Sequence, residues 1–452
     1  MSQKGELTTS KFFRIDNRKL LVIVSIVVFF FMVDSEIGYV ADFIPESIVT
    51  PEAIALFIAI AVVFAAGGYF ILRYVRERNR ESKIRGLRLG ITHTGVTVSH
   101  YVLTAIIAIV IIQILVSAQY SLFNLYAVHA ISYGIWIITL ALLSRAFFKW
   151  YRSSSKNAMV LVLALSMIAY VVNGVTGLAY YISVLQQQPE VVASDYVAFF
   201  PLFDPDTWET QIFLVYQIAT SAGYVLTWIG TVMLLRPYIH KIGRMKFYAI
   251  MGAAMIYYLI TFPLIILGYL DAPEEGTDTD VMNSILIVVI ASVLNGIIFA
   301  AAFLAVARTL PKGSPLREYM IIAAYGLLFF YVAGSAYAAQ AAYPPFGLAS
   351  VAFTGLSCYL IYTGLYSSAA TVSQDLALRQ SIRKTLSVQS NLLDSIGTAQ
   401  MEQELQGTVL KVAKKTSETI EQETGVEPSM TEDDMKDYME IVMNEMKAKS
   451  TG

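Results

Sequence analysis

The polarity pattern of this chain has a period of whole segments, not of single residues. Ten apolar runs, at roughly 20–33, 53–72, 97–117, 125–144, 158–185, 211–235, 247–270, 282–307, 319–341 and 347–367, alternate with polar connections. Most reach the length of about 20 residues that a helix needs to cross about 30 Å of hydrocarbon. No strand-like alternation accompanies them, and lipid offers no partner to an unpaired backbone amide, so each run is predicted to be a helix. The predicted fold is all-α: a polytopic transmembrane bundle of about ten spans over 20–367, followed by a cytoplasmic helical tail. The first run is short, 14 residues over 20–33. It reads as an uncleaved span between snorkelling Arg18 and Lys19 and a locally thinned bilayer. A signal peptide and a helix lying on the surface, leaving nine spans, are its alternatives.

Charge orients the spans. All 32 Lys and Arg residues fall before the first run, in alternate connections, or after the last run. The other connections carry acids, among them Asp34, Glu36, Asp42, Glu46 and Glu52, then Glu190, Asp195, Asp204, Asp206 and Glu209, then Asp271, Glu274, Glu275, Asp278 and Asp280. The excess of cations on one face predicts a cell-membrane protein with both termini in the cytoplasm. Composition agrees: 56% of residues are hydrophobic and 15% charged, against about 25% charged in a soluble domain. The net charge of −2 leaves no electrostatic footprint for nucleic acid. A single cysteine, Cys358, excludes an intrachain disulfide and a cysteine-based zinc site.

Within the runs no Asp, Glu, Lys or Arg is expected, which argues against a proton pump, a voltage sensor and most ion-coupled carriers. The buried polar residues are uncharged. Asn173 and Asn295 sit at the midplane, either as a binding site or as interhelical hydrogen bonds. Gln113, His129, Tyr180, Tyr181, Gln217 and Gln340 lie in the outer half; if their faces converge they line a small-ligand pocket, and otherwise they anchor at the interface. His93 and His100 share a helix face near the cytoplasmic end, and only His100 with His240 would approach the level match that bis-histidine haem ligation requires. Each histidine reads more simply as a satisfied polar residue, and no cofactor or metal is expected. Small residues (Gly347, Ser350, Gly355, Ser357 and Gly364 in the last run, Gly334 and Ala338 in the ninth) predict a tight antiparallel hairpin of the last two spans.

The tail divides into a helical segment at 368–415, a link at 416–430 and a final helix at 431–452. Ile382, Leu386, Leu393 and Ile396, with Gln389 between, form a short coiled-coil-like seam that Gly397 is expected to interrupt. Thr431 and Asp434 begin the final helix in the manner of a capping box. Met435, Tyr438, Met439, Val442 and Met446 form one apolar face, suited to docking a cytoplasmic partner or the first tail helix. No nucleotide-binding, kinase or metal-cluster motif is present, so an enzyme is not expected.

The runs YPPFGLAS, SSAATVSQDLALRQSIRKTL and LLDSIGTAQMEQEL resemble an uncharacterised group of archaeal multi-span membrane proteins. The resemblance covers mainly 343–450 and implies location and kinship, not activity. Three functions stay open. The first is a non-enzymatic sensor or signalling component coupling an outer-half pocket to the tail. The second is a secondary transporter of a neutral solute built as five plus five spans, and the third is a haem-binding electron carrier. Lipid is the expected partner, with a homo-oligomer and a tail-bound protein as further candidates.

Overall fold

A computed structural model describes residues 17–43, 50–81, 87–153, 157–194, 207–236, 239, 243–270, 278–311, 313–334, 342–374, 397, 399–401 and 403. Every predicted run becomes a helix. In chain order these are α1 (Asn17–Phe43), α2 (Pro51–Glu81), α3 (Leu87–Ser117), α4 (Leu122–Ser153), α5 (Ala158–Leu185), α6 (Trp208–Leu235), α7 (Arg244–Leu270), α8 (Asp278–Thr309), α9 (Pro315–Gly334) and α10 (Leu348–Gln374). Over the described residues nine of them are long and apolar enough to cross a membrane. The remaining one, α7, is 27 residues long. The chain is an all-α, multi-pass membrane bundle. Its two ends are called here the basic face, where α1 begins and α10 ends, and the acidic face opposite.

Two short strands, β1 (Gln119–Ser121) and β2 (Val191–Ala193), pair antiparallel at the acidic face, Tyr120 opposite Val192. Hydropathy did not predict them. They pin the α3–α4 connection to the one after α5, and Leu122 N donates to Glu190 O at 2.9 Å beside them.

The first helix departs from expectation. The 14-residue run continues to Phe43, and its apolar span extends over Asn17–Gly38. Asp34 and Ser35 are fully buried within it. A carboxylate therefore does lie inside a span, contrary to the reading above. Helix continues past the apolar run because these side chains face protein rather than lipid.

The core is built around α10. Every residue of its most apolar 18-residue window is buried, against 28% of that of α3. Helices α9 and α4 flank α10, α5 packs on α4, and α6 on α5. Close approach is set by glycine: a methyl group on Gly326 would stand 2.7 Å from the Ile361 backbone N, and one on Gly364 2.5 Å from that of Ala323. The α9–α10 hairpin forms as predicted, but its α9 contact is Gly326. A methyl group on Gly334 would meet nothing within 4 Å among the described residues, and Ala338 lies outside them. Helix α4 joins through Ser132, whose hydroxyl donates to Val351 O and accepts from Gly355 N at 3.1 Å. On the outside, Ile91, Val98, Ile109, Ile112 and Val116 of α3 are exposed, forming an apolar belt of the kind lipid would cover.

Candidate functional site

Of the outer-half residues, His129, Tyr180 and Tyr181 come together. The His129 ring packs on Tyr133 and Tyr181, with centroids 6.1 and 5.4 Å apart. Tyr180 meets Phe213 of α6 at 5.2 Å. Carbonyl oxygen only accepts, so His129 Nδ1 donates to Leu125 O at 2.8 Å, one turn earlier in α4. Its Nε2 is then an acceptor, buried and without a hydrogen-bond partner among the described residues. The space between these helices is filled by rings in contact. Gln113 serves elsewhere: its Oε1 accepts from Asn124 Nδ2 at 2.9 Å and from Ser121 N at 3.3 Å, fastening the end of α3 to α4. Gln217 is half-buried on α6 beside Tyr216, and its backbone carbonyl accepts from the Ser221 hydroxyl at 2.7 Å. Gln340 lies outside the described residues. The predicted six-residue pocket is thus reduced to an aromatic cluster around His129. Trp208, in the acidic loop of the sequence, opens α6, with its ring exposed and Nε1 3.4 Å from Ser183 Oγ.

Both midplane asparagines tie helices together. Asn173 Nδ2 donates to Thr220 Oγ1 at 2.5 Å and to Tyr216 O at 3.3 Å, linking α5 to α6. Asn295 Oδ1 accepts from the Tyr224 hydroxyl at 3.0 Å, linking α8 to α6. Between them runs a polar thread. Ser166 and Thr227 hydroxyls share a 2.6 Å hydrogen bond, Thr227 donates to the Tyr170 hydroxyl at 3.3 Å, and Tyr170 and Tyr331 share another at 2.6 Å. A void of about 10 Å³ lies beside Thr227, lined also by Leu163, Gly230, Phe303, Leu327 and Ile361. That is room for about one water molecule.

The most concentrated polar chemistry sits at the ends of α10. Gly347 precedes the helix at φ +84°, and its carbonyl accepts from Val351 N at 2.9 Å. It is the N-cap, yet has no side chain to satisfy the first amides. Asp34 of α1 supplies the missing acceptor. Its Oδ1 takes Gly347 N at 2.9 Å, and its Oδ2 takes Ser350 N at 2.9 Å and the Ser350 hydroxyl at 2.7 Å. A carboxylate there also meets the positive end of the helix dipole. Tyr120 closes the turn from outside, donating to Ala342 O at 2.7 Å and stacking on Tyr343 at 6.4 Å. Burial raises the Tyr343 phenol above its ordinary range, and the Tyr343–Pro344 peptide is cis.

At the basic face the start of α9 is held the same way. Glu318, largely buried, accepts from the Tyr74 hydroxyl at 2.6 Å and from Asn17 Nδ2 at 3.2 Å, with Arg78 Nε 3.8 Å away. The Tyr319 hydroxyl donates to Asn79 Oδ1 at 3.0 Å. Helix α1 therefore grips the central hairpin twice, by Asn17 at one membrane face and Asp34 at the other.

The tail returns to the exit of α10. Trp150, at the end of α4, donates from Nε1 to Gln400 Oε1 at 2.9 Å, and Ala399 is fully buried. Gly397 is helical and abuts Val372 so closely that a side chain would overlap it. Glycine serves here as a contact point; whether it also interrupts the seam lies outside the described residues. Trp150 stacks on Tyr366 at 6.0 Å, and Tyr366 on Tyr362 at 5.5 Å, so rings continue from the seat into α10. The seam from Ile382 to Ile396 and the apolar face of Met435, Tyr438, Met439, Val442 and Met446 lie outside the described residues.

Two histidines are committed to protein. His100 Nε2 lies 3.2 Å from Ala65 O, with the ring pressed on Gly68 and against Phe64 at 5.0 Å. His93 Nδ1 pairs with the Tyr359 hydroxyl at 2.8 Å. His240, which the haem reading would pair with His100, lies outside the described residues.

These features define a class, the multi-pass helical membrane proteins. No protein-family model, curated protein or solved structure matches the chain beyond it.

Proposed function

We propose that the protein is a non-enzymatic membrane sensor or signalling component in which α10 is the coupling rod. The acidic face would be the outer face and the tail cytoplasmic, as the distribution of Lys and Arg favours. The observation that carries this reading is the seat of Gly397, Ala399 and Gln400 on the exit of α10 and α4, through Trp150–Gln400 and Gly397–Val372. A helix buried along its length and held by a polar latch at one end and the tail at the other passes a displacement from end to end, because packed cores shift between discrete arrangements and do not deform continuously. The input lies at the acidic-face end, where Asp34 and the His129 cluster sit. Any stimulus must bind the two arrangements unequally to shift them.

The test uses full-length protein in liposomes, with Cys358→Ala and spin labels at Arg152 and Gln403. A second 152–403 distance population that grows with a stimulus is the expected result. A single unchanged distance across pH, salts and small neutral solutes counts against the reading.

A further inference from the structure

We infer that Asp34 is a proton-operated latch on α10, and that the proton is the stimulus of the sensor; only the last step, transmission to the tail, rests on the function proposed above. The geometry isolates one titratable group. Both Asp34 oxygens are engaged, by two backbone amides and one hydroxyl, and the side chain is fully buried. Its hydrogen-bond partners are Gly347 and Ser350, and no cation acts on it among the described residues. Toward the same end of the bundle the titratable groups of the described elements are Glu36 on α1, Glu52 opening α2, Tyr120 in β1, His129 on α4 and Tyr343 in the turn; the His129 ring faces Tyr133 and Tyr181, and its Nδ1 donates to Leu125 O. None is a Lys or Arg, and α10 has no titratable residue before Cys358. A proton is therefore the species that can neutralise this carboxylate in place.

Neutralisation has a defined consequence. Charge-assisted hydrogen bonds are about twice as strong as neutral ones. A protonated Asp34 keeps its position but holds the Gly347 and Ser350 amides more weakly, and its attraction to the helix dipole disappears. Gly347 offers no substitute acceptor. The turn that carries α10 into the bundle is then fastened mainly by Tyr120 and the Phe57–Phe346 contact at 5.7 Å.

Full-length protein in liposomes, labelled at 152 and 403 as above, is compared with Asp34→Asn and Ser350→Ala while the pH on the acidic face is stepped. Infrared difference spectra record the carboxylic-acid carbonyl band. The wild-type protein is expected to gain that band and the second distance population together, by at most about tenfold per pH unit for one proton. Asp34→Asn, a neutral isostere of the acid, should lack the band and show the second population at every pH. Ser350→Ala, with one donor fewer for the carboxylate, should move the pH at which band and distance change together; an unmoved response would count against the latch even if Asp34→Asn does not assemble. A pH response identical in wild type and Asp34→Asn would overturn the inference, as would a band that Asp34→Asn leaves in place. A band that titrates and depends on Asp34, without any change in tail distance, keeps the latch and removes the sensor reading. A tail distance that answers only to a solute, unaffected by Asp34→Asn, does the reverse.

Discussion

Single side chains set the tolerances of this bundle. Gly347 adopts φ +84° at the mouth of α10, where any L side chain costs roughly 1–2 kcal/mol. Gly347→Ala should lower the thermal unfolding midpoint in detergent, and an unchanged midpoint would show that the turn relaxes. Asp34→Ala removes a cap, worth about 0.5–2 kcal/mol, and strands buried amides besides. It should therefore destabilise more than Tyr331→Phe. That change removes one hydrogen bond to Tyr170, and interhelical bonds in membranes average about 0.6 kcal/mol. The reverse ranking in thermal unfolding would mean that the tyrosine thread, not the cap, secures the centre.

At the scale of elements, the α9–α10 hairpin is limited by backbone contact. A methyl group on Gly364 would stand 2.5 Å from the Ala323 backbone N, which cannot rotate away. Gly364→Ala should cost about 1–3 kcal/mol, as overpacking does, whereas the same change at Gly252, where an added methyl meets nothing within 4 Å among the described residues, should cost far less. Thermostability of the two variants side by side is the check. The tail is held differently, with a hydrogen bond from Trp150 and a close glycine contact among its fastenings. Trp150→Phe keeps most of the ring but loses the donor, so limited proteolysis should cleave near residue 400 faster while the spans stay intact. Equal cleavage rates would show that Gly397 and Ala399 hold the segment without it.

For the whole molecule, the organising feature is that the most buried of the described spans is the last of them and is gripped by the first. Asn17 and Asp34 are about 26 Å apart along α1, at a rise of about 1.5 Å per residue. They share no partner, since one holds Glu318 and the other Gly347 and Ser350. Asn17→Ala and Asp34→Asn should therefore add within about 0.5 kcal/mol. A large coupling in a double-mutant cycle would mean that α1 docks as one cooperative strap. Orientation is tested at this scale too. A cysteine replacing Ser121, at the strand pair, should react with an impermeant reagent on intact cells in a Cys358→Ala background, and one replacing Arg152 should not.

Hydropathy and charge alone determined the positions of the helices, because water and lipid act on each segment independently of its neighbours. Every run from 53–72 to 347–367 coincides with a helix over its described residues, although α2, α3 and α4 run about two or three turns further at the basic face than the apolar stretch. The midplane asparagines and the α9–α10 hairpin were legible for the same reason: a polar group or a run of small residues in lipid must seek protein. Partners were not legible. Asp34 looked like a loop acid because it follows an apolar run, and only the arrival of Gly347 and Ser350, more than 300 positions later, makes burying it tolerable. The signal that might have exposed it was an N-cap glycine with no acceptor of its own. Gln113 and Gln217 shared a depth with His129, but depth does not specify the face of a helix, and rotation placed them elsewhere. Tertiary structure alone decided which helix is central, what closes its ends and where the tail returns, since each depends on contacts between residues far apart in the chain.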